Sequence, residues 1–283
     1  MDIDLEQLRH WIGRSMVVED SATPVPLQAL TATLDRDDPP IAPGQAIPPL
    51  WHWLYFLPLH RQSEIGADGH PARGGFLPPV PLPRRMWAGS RLEFHAPIVA
   101  GQALSRRSRI DDVRLKQGRT GPLVFVKVQH DITAGGRLAV SEQHDIVYRD
   151  LPRPGDPAPA GVAAPDNASW TRRIVPDDVL LFRYSALTFN GHRIHYDRRY
   201  VTEVEGYPGL VVHGPLIATL LLDLLRRERP AARVTHFEFK AVQPVFDTAP
   251  FDLCGRMDGE RQVALWARTP GGHVAMEAGA TLA

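Results

Sequence analysis

Residues 91–98 read RLEFHAPI and residues 236–245 read HFEFKAVQPV, so Glu93, Phe94 and Ala96 fall on Glu238, Phe239 and Ala241 at one constant offset. Each copy leads a series of strand-like segments. After the first come SRRSRIDDVRL (105–115), PLVFVKVQHDI (122–132) and RLAVSEQHDIVYR (137–149). After the second come FDLCGRM (251–257), RQVALWART (261–269) and HVAMEAGATL (273–282). Val124, Val126 and Val128 alternate with Lys127 and Gln129, the period-2 pattern of a strand with one buried face. Glycine-containing turns, GRTG, AGGR and PGGH, separate the segments.

Upstream of each series lies an apolar run that reads as a helix. In the second half it is GPLIATLLLDLLRRERP, opening at Gly214-Pro215. Proline suits the first helical position because its missing N–H has no partner there anyway. Arg226, Arg227 and Arg229 close the run, where they complement the helix dipole. The first-half counterpart is PPLWHWLYFLPLH. One helix against a curved antiparallel sheet, made twice, is an α+β double hotdog. Proline clusters punctuate the chain, which holds 27 prolines in 283 residues against a usual frequency of about 5%. The run LPRPGDPAPAGVAAPDNAS has no apolar period and reads as an extended linker. The expected organisation is a hotdog over 1–150, a linker over 151–169 and a second hotdog over 170–283.

Composition sets outer limits. Hydrophobic residues make up 43% and charged residues 23%, the balance of a globular chain with a substantial core. With 32 basic and 32 acidic residues, no basic excess points to nucleic acid. One cysteine, Cys254, rules out an intrachain disulfide and reads as a small buried strand residue. The N-terminus lacks a signal-peptide pattern, and no uncharged apolar stretch approaches about 18 residues, so a cytoplasmic protein without a membrane span is expected.

The chemistry gathers in LFRYSALTFNGHRIHYDRRYVTEVEGYPGLVVHGPLIATLLLDLL, ending at Leu225. Pro176, Asp177 and Asp178 open a short helix, and Phe189-Asn190-Gly191 breaks it. His192, His195 and His213 follow, the last directly before the Gly214-Pro215 helix start. This pattern resembles the MaoC-like family of enoyl-CoA hydratases and 3-hydroxyacyl thioester dehydratases. That family carries an acidic residue five positions before a catalytic histidine, then His-x-Asp, and later a His-Gly at the central helix. Here His195-Tyr196-Asp197 and His213-Gly214 match, while Asn190 stands where the family has aspartate. The runs GHPARGGFLPPVPLPRRMWAGSRLEF and LTFNGHRIHYD are similar to the two-part branch that includes mesaconyl-CoA and itaconyl-CoA hydratases.

The resemblance implies a hydro-lyase that acts on an acyl-CoA without a further cofactor. Adding water across an α,β-unsaturated thioester needs a base for the water, a proton for the α-carbon and donors for the enolate oxygen. A histidine, with an ordinary pKa near 6.5, suits both proton transfers. Backbone N–H groups at a helix start suit the oxyanion, which assigns His213, Gly214 and Leu216 to positioning. An amide cannot accept the proton, so His195 is expected to make both transfers while Asn190 positions water or substrate. His192, His195 and Asp197 can also be read as metal ligands, but the HExxH glutamate is missing and no metal is expected. Arg84, Arg85, Arg183 and Arg193 are candidates for a substrate carboxylate or CoA phosphates. The first half has no His-x-Asp before its helix, so it is expected to shape the pocket.

The leading expectation is hydration of a short carboxylated enoyl-CoA such as mesaconyl-CoA (4-thioester) or itaconyl-CoA, giving citramalyl-CoA. A fatty-acyl 3-hydroxyacyl-CoA or carrier-protein dehydratase is the rival within the class. A buried arginine would favour the first, an apolar tunnel the second. A non-catalytic acyl-CoA-binding or thioesterase-like hotdog is the rival outside it. Two hotdogs in one chain allow either a monomer or a homodimer.

Overall fold

The computed structural model describes residues 3–118, 121–151 and 161–283. Its frame is one ten-stranded antiparallel sheet. The first half contributes β1 (Ser15–Ser21), β2 (Arg84–Phe94), β3 (Ala103–Gly118), β4 (Gly121–Ala134) and β5 (Arg137–Arg149). The second contributes β6 (Trp170–Ile174), β7 (Val234–Ala241), β8 (Phe251–Met257), β9 (Gln262–Arg268) and β10 (Val274–Leu282). The order is β1-β3-β4-β5-β2-β7-β10-β9-β8-β6, which reads the same from either edge once the halves are matched. The halves meet at β2 and β7, where Leu92 pairs with Phe237 and Arg91 with Glu238. Leu92 and Phe237 stand at the offset seen in the sequence repeat, so the pseudo-twofold passes through that pair.

The alternating valines mark the buried face as expected: Val124, Val126 and Val128 are at most 1% exposed. Helix α5 (Gly214–Glu228) begins at the Gly-Pro signal and ends among its arginines. Its residues 216–225 are all buried, packed against β6, β8, β9 and β10, and the two polar ones among them, Thr219 and Asp223, are hydrogen-bonded. Each buried leucine contributes about 2 kcal/mol by leaving water. Cys254 is fully buried and free, as a strand residue.

The first half departs from the expected plan. PPLWHWLYFLPLH forms no long helix; only Trp51–Leu54 makes a single 3-10 turn. Pro48, Pro49 and Pro58 interrupt the run, and Leu50 and Phe56 take left-handed backbone conformations that a helix does not admit. The aromatic residues are core nonetheless: Trp51, Tyr55 and Phe56 are at most 5% exposed. Helices α1 (Leu5–Arg9) and α2 (Pro24–Thr33) precede that turn. In the second half, α3 (Asp178–Leu187) and α4 (Arg198–Glu203) come before α5.

Most of the expected linker, residues 152–160, lies outside the described residues. Its remainder runs beside the second half, where Ala164 N–H donates to Gly272 O (2.9 Å) and Ser169 N–H to Gly255 O (2.9 Å). A buried ionic knot joins the halves elsewhere. Asp223 of α5, 4% exposed, accepts from Arg36 Nη1 (2.6 Å), Arg172 Nη1 (2.8 Å) and Arg227 Nε (2.8 Å). Asp38 binds Arg36 and Arg226 in turn. Among the described residues, no helix is long and apolar enough to cross a membrane.

Candidate active site

Three local rules place the candidate catalytic segment. Asp177 caps α3 by accepting from Leu180 N–H (2.8 Å), and Asp197 caps α4 by accepting from Tyr200 N–H (3.0 Å). Between them Phe189 turns left-handed, ending α3, and Asn190 N–H donates to Ser185 O (2.8 Å). His195 ends the short 3-10 turn Arg193–His195. Its Nδ1 donates to Val211 O (2.7 Å), which fixes the ring and leaves Nε2 as the free lone pair. Nε2 has no hydrogen-bond partner among the described residues, and the residue is 7% exposed. Burial pushes the imidazole pKa down to about 4, with the Val211 bond opposing.

That direction gives a testable sign. A depressed pKa keeps the ring neutral, the basic form, at every pH above its own value. The acid limb of kcat/KM for hydration is therefore expected near pH 4, where the ring charges, and not near the ordinary 6.5. A pH–rate profile between 3.5 and 8 checks this, and a midpoint above about 6 would exclude a buried His195 as the base.

His213 lies against the other face of His195, rings stacked at 3.7 Å and 18°. It has no exposed surface and its Nε2 is 2.8 Å from Ser185 Oγ, so it buttresses the His195 ring from within the core. His213 is the N-cap of α5 but makes no side-chain cap. Pro215 has no N–H, and Ile217 N–H already bonds His213 O (3.1 Å). The N–H groups of Gly214 and Leu216 are thereby left without helical acceptors, the donors an oxyanion needs. Asn190 Oδ1 accepts from His192 N–H (3.0 Å), which leaves its NH2 free to donate.

Next to this segment lies a cavity of about 1190 Å³ whose wall includes Asn190, Gly191, Pro215, Trp87, His70 and Arg85; His195, Gly214 and Leu216 stand behind that wall, adjoining Pro215 and Tyr196 in the chain. It occupies the concave side of the first half, where the expected helix is absent. A loop from the first half closes over the site. Gly69 packs so tightly that a Cβ there would collide with the Gly191 carbonyl, and Arg193 N–H donates to Asp68 O (2.9 Å). The loop delivers Asp68 and His70, which sequence reasoning missed. His70 Nδ1 donates to Asp68 Oδ2 (3.0 Å), and the His70 ring lies 3.9 Å from that of His192. Burial opposes ionisation of Asp68, but the bonds from His70 outweigh it and hold the carboxyl below its usual range. Gly69 and His70 open the GHPARGGF run and Asp68 precedes it, but nothing in that run marks it as a neighbour of His192.

The arginine candidates separate. Arg84 is buried in a pair with Glu205 (Nε to Oε2 3.0 Å, Nη2 to the carbonyl 2.6 Å), so it does not reach a ligand. Arg193 is committed to Asp197 Oδ2 (2.8 Å) and Ala67 O (3.0 Å). Arg183 is exposed on α3, off the cavity wall. Arg85 lines the cavity without a carboxylate partner among the described residues, beside the Tyr148 hydroxyl; burial, with the Arg85 charge adding to it, depresses His70 and His192. The alternative metal set His192, His195 and Asp197 does not assemble, because Asp197 caps α4 and binds Arg193. Asp68, His70 and His192 do bring possible ligand atoms within 4.8 Å of one another, but the Asp68–His70 hydrogen bond occupies two of those groups.

A double hotdog with a buried histidine beside an uncapped helix start defines a thioester hydratase/dehydratase architecture. The profile of the hydroxyacyl-thioester dehydratase type 2 family matches residues 50–247, and the chain belongs to that family of hydro-lyases. A mesaconyl-C(4)-CoA hydratase of Chloroflexus aurantiacus is 48% identical over 273 residues, covering 95% of each chain. A mitochondrial hydroxyacyl-thioester dehydratase type 2 of Schizosaccharomyces pombe is 26% identical, covering 86% of this chain and 90% of that one. The fold is also that of HtdX from Mycobacterium tuberculosis (TM-score 0.64, 17% identity, 94% of this chain and 99% of that one) and of a MaoC-like dehydratase (TM-score 0.69, 15% identity, 97% and 99%).

Proposed function

We propose that this chain adds water reversibly across the C=C of a short carboxylated enoyl-CoA, with mesaconyl-C(4)-CoA as the first candidate and citramalyl-CoA as its product. The observation that carries the chemistry is His195, held neutral with Nδ1 on Val211 and Nε2 open, beside the free N–H groups of Gly214 and Leu216. The substrate class rests on the 48% identity to the Chloroflexus enzyme.

In the hydration direction, Nε2 of His195 removes a proton from water while the water oxygen attacks the β-carbon. The π electrons move to the thioester oxygen, which the Gly214 and Leu216 N–H groups receive as an enolate. The enolate then collapses and the α-carbon takes the proton back from the imidazolium, which restores neutral His195. The free NH2 of Asn190 donates to the attacking water and orients it. One proton moves out and back and no redox change occurs, so this sequence needs no metal or redox cofactor; CoA belongs to the substrate. Arg85, on the cavity wall, is the residue we assign to a CoA phosphate.

The test is loss of conjugated-enoyl absorbance with mesaconyl-CoA, itaconyl-CoA and crotonyl-CoA. Mesaconyl-CoA is expected to react fastest. Hydration confined to crotonyl-CoA would transfer the chain to the fatty-acyl branch, and free thiol without hydration would make it a thioesterase.

A further inference from the structure

The two concave faces differ in kind. In the second half the inward residues of β8–β10, such as Phe251, Leu253, Val263, Leu265 and Ala280, are buried and apolar against α5. In the first half β3–β5 turn Arg106, His130, Glu142 and His144 toward the cavity instead. Such a polar wall is a poor surface for a long apolar chain, because each group needs a polar partner.

Most of these groups already have one. Glu142, 2% exposed, takes donors from His144 Nε2 (2.6 Å), Trp53 Nε1 (3.0 Å) and His52 Nε2 (3.1 Å). His130 Nδ1 lies 2.7 Å from Ser108 Oγ. The second carboxylate near Arg106, Asp20, accepts from the N–H groups of Phe56 (2.6 Å) and Ser21 (2.7 Å). Arg106 is the exception. Its Nε is sealed without an acceptor, and none of the side-chain hydrogen bonds among the described residues involves it. Its guanidinium lies 5.0 Å over the Phe56 ring on the cavity wall. Trp87 spans from the start of α5 to this wall: its carbonyl O lies 4.0 Å from where a Gly214 Cβ would be, and its ring lies 4.0 Å from that of His144.

We infer that Arg106 binds the free carboxylate of the acyl group and so selects carboxylated thioesters over plain enoyl thioesters. A guanidinium keeps its charge in any such setting, and its fork matches both carboxylate oxygens. The inference rests on the carboxylated-substrate reading above. A CoA phosphate has related chemistry, and the test must separate the two.

The experiment compares wild type with Arg106→Gln on mesaconyl and crotonyl thioesters, each carried by CoA and by N-acetylcysteamine, which has no phosphate. The variant is expected to lose about 100-fold in kcat/KM on both mesaconyl thioesters and to change crotonyl turnover less than about 3-fold. Arg106→Lys, which keeps the charge without the fork, is expected to fall between and covers a poorly folding glutamine variant. A loss confined to the two CoA thioesters would assign Arg106 to phosphate; equal loss on all four, or none, would also overturn the inference. Binding gives a readout independent of turnover. Quenching of the tryptophan fluorescence, with Trp53 and Trp87 on the same wall, is titrated with methylsuccinyl and butyryl N-acetylcysteamine thioesters. Wild type should prefer the carboxylated thioester and Arg106→Gln should not. Absence of that preference in wild type sinks the inference even if hydration is observed. Its presence without hydration leaves the inference standing and removes the proposed activity.

Discussion

Substituting His195 with glutamine is expected to lower kcat for hydration about 1,000-fold or more while KM moves only a few-fold, the signature of a lost proton-transfer group. Glutamine fills much of the ring's volume and can still donate to Val211 O, so the fold should hold. It offers no basic nitrogen to water. His213→Gln removes the stacked partner instead; because His213 has no surface, its effect should come through the His195 ring and be smaller. Steady-state kinetics with mesaconyl-CoA and a melting curve for each variant check both points. Retention of more than a tenth of kcat by His195→Gln would remove His195 from the chemistry.

Asp223→Ala is expected to be the most damaging single change to stability. Three guanidinium groups converge on that carboxylate, and breaking a buried ion pair by deleting one partner costs about 3–5 kcal/mol. For a chain of this size the melting temperature should drop by about 10 °C. Asp223→Asn, which keeps the shape and removes the charge, should recover only part of the loss. A shift below about 2 °C would mean that Asp38 and solvent take over the arginines.

How much of this was legible depended on where each signal lay. Strands β3, β4 and β5 announced themselves because one face is core and the other solvent, so apolar and polar residues alternate. β1 did not: SMVVEDS is an edge strand with little buried surface, tied to β3 by its backbone. The aromatic run 51–56 was apolar for a reason other than helix, since it packs under the cavity. His195 could be found in the sequence because its neighbours in the chain are also its neighbours in space. Asp68, His70 and Arg106 could not, since tertiary packing brings them to the site from far away. Arg193 was a different failure. Its partner Asp197 stands four residues on, a spacing that signals a helical-type ion pair.

The seam between Leu92 and Phe237 has a further consequence. In an assembly of two identical hotdogs, symmetry enters every substitution twice, so a charge useful in one pocket must be tolerated in its mirror. Covalent fusion lifts that constraint. One half carries a charged wall where the other carries the helix whose buried start offers two N–H groups without helical acceptors. That division halves the number of reaction centres per unit of mass, and in return each centre has two walls that can be tuned separately.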